Sequence, residues 1–257
     1  MKKIVLCLIL ALTLLLAACA PSEPGPQGSE ATTVPNETQA TTEQTTAPAD
    51  LTPEEIYDDY LQKLCVRLNK IIVDDTYLDG LNTEPGMAGV AEMAYHGGVQ
   101  LLDKYGYTIQ DINGDEVPEL IICAVDLEQE GCVGKDILCI FTVADSQMKL
   151  LVEGWSRNTY HMLDDGTLYQ QGSNGASNSV YAIYMVAQTN DVLCTHCYYT
   201  GEDASGAGLF LYNTTGETDP AKGEPVEGGE DAFYAMVDGI SARITALELT
   251  AFSAIAE

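Results

Sequence analysis

The sequence predicts an α+β protein with N-terminal helices, a central antiparallel β-meander and a C-terminal helix. Three observations carry this. Apolar residues recur at helical spacing from Tyr57 to Ile72. After Gly106, short β-branched and aromatic runs follow one another at roughly ten-residue spacing, parted by turn residues. Helical spacing then returns between Phe233 and Ile244.

The chain begins Met1-Lys2-Lys3, and Ile4 to Leu16 is an apolar run. That run has the length of an export signal and is too short to span a bilayer comfortably. It ends in Leu16-Ala17-Ala18-Cys19, which resembles a bacterial lipobox. The resemblance implies that residues 1–18 are a lipoprotein signal peptide and that the Cys19 thiol receives a diacylglycerol. Two acyl chains hold a protein stably at a membrane, so the expected location is the extracytoplasmic face of the cell membrane. Residues 19–50 are rich in Thr, Pro, Ala, Glu and Gln and poor in large apolar side chains. Such a stretch cannot offset the entropy of ordering and reads as a disordered tether spanning roughly 30 Å.

Residues 51–257 suffice for a single α+β globular domain. Thr52-Pro53-Glu54-Glu55 starts the first helix: Thr52 caps, Pro53 fits the first turn and Glu55 completes a capping box. Tyr57, Tyr60, Leu61, Leu64, Leu68, Ile71 and Ile72 form its apolar face, and it should end near Asp74. A second helical pattern runs from Met87 through Val90 and Ala94 to Leu102. Gly89, Gly97 and Gly98 weaken it, and Gly106 is a plausible C-cap. Strands are expected at Tyr107–Ile109, Leu120–Val125, Ile137–Val143, Lys149–Glu153, Thr159–Leu163, Leu168–Gln171, Val180–Val186, Val192–Thr200 and Leu209–Tyr212. A last helix is expected over Glu227–Ile244, with Leu247 and Leu249 opening a closing strand.

One stretch stands out: Asp111-Ile112-Asn113-Gly114-Asp115-Glu116-Val117-Pro118-Glu119-Leu120. Oxygen-bearing side chains fall at Asp111, Asn113, Asp115 and Glu119, and the Val117 carbonyl completes an alternating donor set. Calcium takes six to eight oxygen ligands from such spacings. No Lys or Arg lies between Lys104 and Lys135 to balance these acids, so a structural calcium ion is expected here. The pattern resembles the calcium loops of FG-GAP propeller repeats, and more loosely those of dockerins and EF-hands. It is also similar to a loop in uncharacterised surface lipoproteins of anaerobic Gram-positive bacteria, which the segment Tyr160–Tyr184 resembles as well. Those loops usually carry Gly at the sixth position, where this chain has Glu116. The competing expectation is a bare two-residue Asn113-Gly114 hairpin turn.

Six cysteines remain in the domain: Cys65, Cys123, Cys132, Cys139, Cys194 and Cys197. An exported chain permits disulfides, and Cys132, Cys139, Cys194 and Cys197 are the candidate disulfide or thiol positions. Cys194-Thr195-His196-Cys197 has redox-motif spacing, but it lies in a strand run. On a regular strand the two sulfurs point to opposite faces and can neither pair nor share a metal without a bulge.

The formal net charge of −28 argues against nucleic acid or anionic lipid headgroups as partners. His96, His161 and His196 are the only histidines, and no G-x-S-x-G nucleophile elbow occurs. The leading expectation is therefore a lipid-anchored binding or interaction module for an unknown extracellular ligand or protein, leaning away from an enzyme. An exported hydrolase of envelope or polymeric substrates, and a thiol redox or metal protein using the C-x-x-C, are the alternatives.

Overall fold

The computed structural model describes residues 51–173, 175 and 178–255. The signal segment, Cys19 and the tether expected over 1–50 lie outside the described residues. What is described mixes helix and sheet and is dominated by antiparallel strands.

Helix α1 (Pro53–Val73) starts as its sequence requires. Thr52 Oγ1 accepts from Glu55 N, and Glu55 returns a carboxylate oxygen to Thr52 N at 2.9 Å. Two shorter helices follow, α2 (Leu78–Asn82) and α3 (Ala88–Tyr95). The strands are β1 (Tyr105–Gln110), β2 (Glu119–Ala124), β3 (Val133–Gly134), β4 (Ile137–Ala144), β5 (Gln147–Glu153), β6 (Asn158–Met162), β7 (Leu168–Ser173), β8 (Ser179–Val186), β9 (Val192–Glu202), β10 (Gly208–Asn213) and β11 (Glu224–Pro225). Helix α4 (Gly229–Ser241) comes next, then β12 (Leu247–Glu248) and β13 (Thr250–Ala251).

The main sheet runs β11-β10-β9-β8-β7-β6-β4-β2-β1-β13, while β12 pairs with β3 separately. Strand β4 is where the meander branches: Ile137 pairs with Tyr160 of β6, whereas Cys139 to Ala144 pair with β5. Gly154 makes the branch possible, because a Cβ there would stand 2.4 Å from the Ile137 carbonyl oxygen.

Two apolar layers sandwich the middle of the sheet. On one face, Tyr57, Leu61, Leu64 and Leu68 of α1 meet Leu120, Ile122 and Phe141. On the other, Ile121, Cys123, Ile137 and Ile140 pack with Met162 and Leu168. Strand β2 is thus buried on both faces, which is why it reads as a continuous apolar run instead of alternating. Farther along the sheet, Phe233 of α4 packs against Tyr181, Tyr198 and Phe210.

Helix placement differs from the expected pattern in three respects. The second helix breaks after Tyr95, and Gly98 to Lys104 form a 3-10 stretch. Gly98 takes φ +63, and a Cβ on Gly97 would meet Leu101 Cδ1 at 2.1 Å. Gly106 is no helix cap: it lies in β1, where a Cβ would come within 2.8 Å of Leu249 Cβ. Helix α4 is shorter than the expected Glu227–Ile244, and the closing strand expected at Leu247 and Leu249 is split, β12 pairing with β3 and β13 lying beside β1 in the register Gly106↔Ala251.

Candidate functional site

The stretch 111–118 is the connection between β1 and β2, which pair as Ile109↔Leu120 and Gln110↔Glu119. This register replaces the expected two-residue Asn-Gly turn with a wider loop. The loop is held by its own side chains. Asp111 Oδ1 accepts from Gly114 N at 2.7 Å and Asn113 N at 3.2 Å, and Oδ2 accepts from Glu116 N at 3.0 Å. Asn113 Oδ1 accepts from Asp115 N, and Asp115 Oδ1 from Val117 N, each at 2.9 Å. Gly114 takes φ +74 and Glu116 φ +70, so the residue that replaces glycine at the sixth position does adopt the left-handed backbone.

The loop is anchored at both ends. Tyr57 of α1 donates its hydroxyl to Pro118 O at 2.8 Å. On the other side, Asn113 Nδ2 donates to Asn190 Oδ1 at 3.1 Å, and Gln188 Nε2 to Gly114 O at 2.7 Å. These contacts tie the loop to the β8–β9 turn, which Lys149 also holds through Asn190 O.

Glu119 sits beneath the loop with 0% of its surface exposed, sealed yet only shallowly buried. Its Oε2 accepts from Ile112 N at 2.9 Å, and Asn113 Nδ2 lies 3.4 Å from Oε1. Burial pushes the Glu119 carboxyl above the ordinary carboxylate range, the Ile112 N–H and the Thr142 hydroxyl oppose this, and the charges of Asp115 and Asp111 add to it. Asp111 moves the other way: burial is outweighed by the N–H groups of Gly114, Glu116, Asn113 and Asp115.

The donor chemistry of Asp111, Asn113, Asp115, the Val117 carbonyl and Glu119 is all oxygen and suits a hard divalent cation. Among the described residues, however, no three His, Cys, Asp or Glu side chains stand together as a metal centre. Asp111 accepts loop N–H groups on both oxygens and Asp115 on Oδ1.

The cysteines separate into two kinds. Cys139 is fully buried in β4 and burial pushes its thiol up; Cys132 is half-buried just before β3. Cys194 and Cys197 lie in β9, where the register slips: Ile183 pairs with His196 and Tyr184 with Cys194, leaving Thr195 unpaired. That bulge cancels the odd spacing, and the two sulfurs lie 3.0 Å apart on one face. The regular-strand expectation is thereby corrected.

The three histidines are apart. His161 Nδ1 lies 3.1 Å from Lys135 O and 3.4 Å from Asp136 Oδ1, and His196 Nδ1 lies 3.1 Å from Thr195 Oγ1. His96 packs edge-on against Tyr95. No hydrogen bond joins a histidine ring to a Ser or Cys side chain among the described residues.

Sequence reasoning missed Trp155. It is the chain's one tryptophan and is 42% exposed, held in the tight β5–β6 turn by Trp155 N and O pairing with Asn158 O and N. Three hollows meet at this ring. One of about 410 Å³ runs past Met93, Leu138 and Thr159, and one of about 730 Å³ passes Tyr95, Glu92 and Glu153. The third, about 700 Å³, passes Asn158, Gln170, Asn178 and Tyr199. Tyr95 is 72% exposed on the rim. Only the surrounding turn signal, Gly154-Trp155-Ser156, hinted at an exposed ring.

Comparison of the chain with protein-family models, with curated proteins and with solved structures finds no match. No described helix is long and apolar enough to cross a membrane.

Proposed function

We propose that this protein is a binding module held at the extracytoplasmic face of the membrane by a lipid on Cys19, with its ligand seated at Trp155. The observation that carries the reading is the half-exposed indole fixed in a rigid turn where three hollows meet. A large ring left in water forgoes burial worth about 2 kcal/mol, and rings kept this way are typical of recognition surfaces. The groove beside it is lined by Asn158, Asn178, Ser179 and Thr200, with Arg157 and Glu202 among them. Amide and hydroxyl groups and one charge of each sign beside an aromatic face suit a hydroxyl-rich ligand such as a glycan. The acidic net charge disfavours nucleic acid and other polyanions.

In this reading the 111–119 loop has a structural role. Asp111, Asn113, Asp115, the Val117 carbonyl and Glu119 would hold one calcium ion, offsetting the like charges around a sealed carboxylate. The loop would then fix the β1–β2 and β8–β9 turns together.

The single tryptophan supplies the test. Titrating the full chain with peptidoglycan fragments and neutral oligosaccharides, while following indole emission, should give a saturable change for at least one glycan. Trp155→Ala should lose at least tenfold in affinity for it, measured calorimetrically. A flat response across the panel would overturn the glycan seat.

A further inference from the structure

We infer that Cys194 and Cys197 form a thiol–disulfide exchange site, oxidised by low-molecular-weight disulfides and re-reduced by low-molecular-weight thiols. Residues three apart on a regular strand face opposite ways, but the unpaired Thr195 makes β9 bulge between the two cysteines. Thr195 Oγ1 donates to Ile183 O at 3.1 Å and holds the bulge in place. The result is a dithiol presented by a sheet, with its sulfurs 3.0 Å apart.

That distance selects the chemistry. Two thiolates on one zinc ion, at about 2.3 Å each in a tetrahedron, stand about 3.8 Å apart. The sulfurs here are closer, and no third ligand joins them among the described residues. A disulfide at about 2.05 Å needs a closure of only about 1 Å. The surroundings suit this small movement. Cys197 packs with Ala182 and Tyr199 and is 1% exposed, while Cys194 is only partly buried and is the more accessible of the two. The hydrogen bond between the sulfurs lowers the Cys197 thiol to about 7 and makes Cys194 hold its proton more tightly, so the pair gives up its first proton at Cys197 and shares the second across 3.0 Å.

The exchange balances without any group beyond the named disulfide. The pair loses one proton to solvent, the remaining proton passes from Cys194 to Cys197, and the Cys194 sulfur attacks one sulfur of R–S–S–R. The first RS⁻ leaves, and a mixed disulfide remains on Cys194. Cys197 then gives up its proton and attacks Cys194 Sγ, expelling the second RS⁻. The two released protons are taken up by the two thiolates. The dithiol is oxidised by two electrons to Cys194–Cys197, and R–S–S–R is reduced to two RSH.

The test uses the purified full chain and glutathione as the probe. The protein is equilibrated in mixtures of reduced and oxidised glutathione, quenched in acid, unfolded, alkylated with N-ethylmaleimide and digested. The peptide carrying Cys194 and Cys197 should appear lighter by two hydrogens and unalkylated. Its ratio to the dithiol form should rise in proportion to oxidised glutathione over the square of reduced glutathione, and the dithiol should return fully on reduction. Cys197→Ser should trap glutathione on Cys194. In Cys194→Ser the buried Cys197 should react at least about tenfold more slowly. Full alkylation of both cysteines at every ratio would overturn the site. A mixed disulfide on Cys194 that never resolves in the wild-type chain would overturn it too. Both readings come from the wild-type protein and do not depend on a variant folding.

Discussion

Glu119 and Glu116 are the two residues at which the loop departs from easy chemistry. A carboxyl whose folded pKa lies above its unfolded value binds its proton more tightly in the native state. Its stabilising share is full below the unfolded value, about 4.3, and is lost as pH climbs through the folded one. Glu119 is of this kind. Asp111 and Asp165 are of the opposite kind. Asp165 is drawn down to about 2, first by the Thr167 hydroxyl and further by Arg243. The share of these two is lost as pH falls, in a window below that of Glu119. In EDTA, Glu119→Gln should therefore melt higher than wild type at pH 7 and much like it at pH 4, as read by calorimetry. A lower melting temperature at pH 7 would mean that the ionised carboxylate is stabilising. Glu116, at φ +70, carries a strain of about 1–2 kcal/mol that glycine would not. Glu116→Gly gains that back against an entropic loss of up to about 1 kcal/mol. A denaturant midpoint slightly above wild type is expected, and a clear fall would assign the Glu116 side chain a contact of its own. The sequence exposed this strain, because the loop pattern puts glycine where Glu116 stands. It could not expose the burial of Glu119, which depends on Tyr57 and Thr142, far away in the chain.

At the scale of elements, local signals were strong where the cause was local. The capping box fixed the start of α1, and turn residues such as Asp165-Gly166 and Asn190-Asp191 bounded most strands to within about two residues. Three things escaped because their causes are tertiary. Gly106 reads as a cap but exists for the close approach of Leu249. The two-residue strands β3, β11 and β13 have no pattern of their own and are defined by their partners. The β9 bulge, which decides the fate of Cys194 and Cys197, shows only as a slipped register against β8. Helix α4 was legible from Phe233, Val237 and Ile240, which dock it on the sheet, Phe233 with the largest buried side chain. Phe233 is fully buried and contacts the rings of Tyr181, Tyr198, Phe210 and Tyr234. Phe233→Ala should cost about 3–5 kcal/mol and free α4 before the central strands open. Native-state hydrogen exchange would show this as lost protection in Gly229–Ser241 with β2 and β4 still protected. Uniform loss across the sheet would mean that α4 and the sheet unfold as one unit.

The whole molecule carries a net charge of −28, which sets how a calcium experiment must be read. Any divalent cation screens such a charge and raises stability non-specifically, so a rise with calcium alone does not locate a site. Site binding differs in ion and in residue dependence. Calcium at a hundredfold excess over its Kd adds about 2.7 kcal/mol, or about 5–10 °C for a domain of this size. Magnesium at equal ionic strength should give much less, because it demands near-octahedral geometry and parts with water reluctantly. Alanine is a poor probe here, since Asp111 and Asp115 accept loop N–H bonds that hold the turn. Asparagine keeps an acceptor oxygen and removes the charge. At Asp111 both oxygens accept loop N–H groups, so one of these bonds is lost, and Asp111→Asn with Asp115→Asn should lower the melting temperature in EDTA by a few degrees while abolishing the calcium-specific rise. If the double variant answers calcium as wild type does, the rise belongs to the acidic surface as a whole. The loop would then be a self-braced turn whose hydrogen bonds, from Tyr57 to Asn190, need no ion.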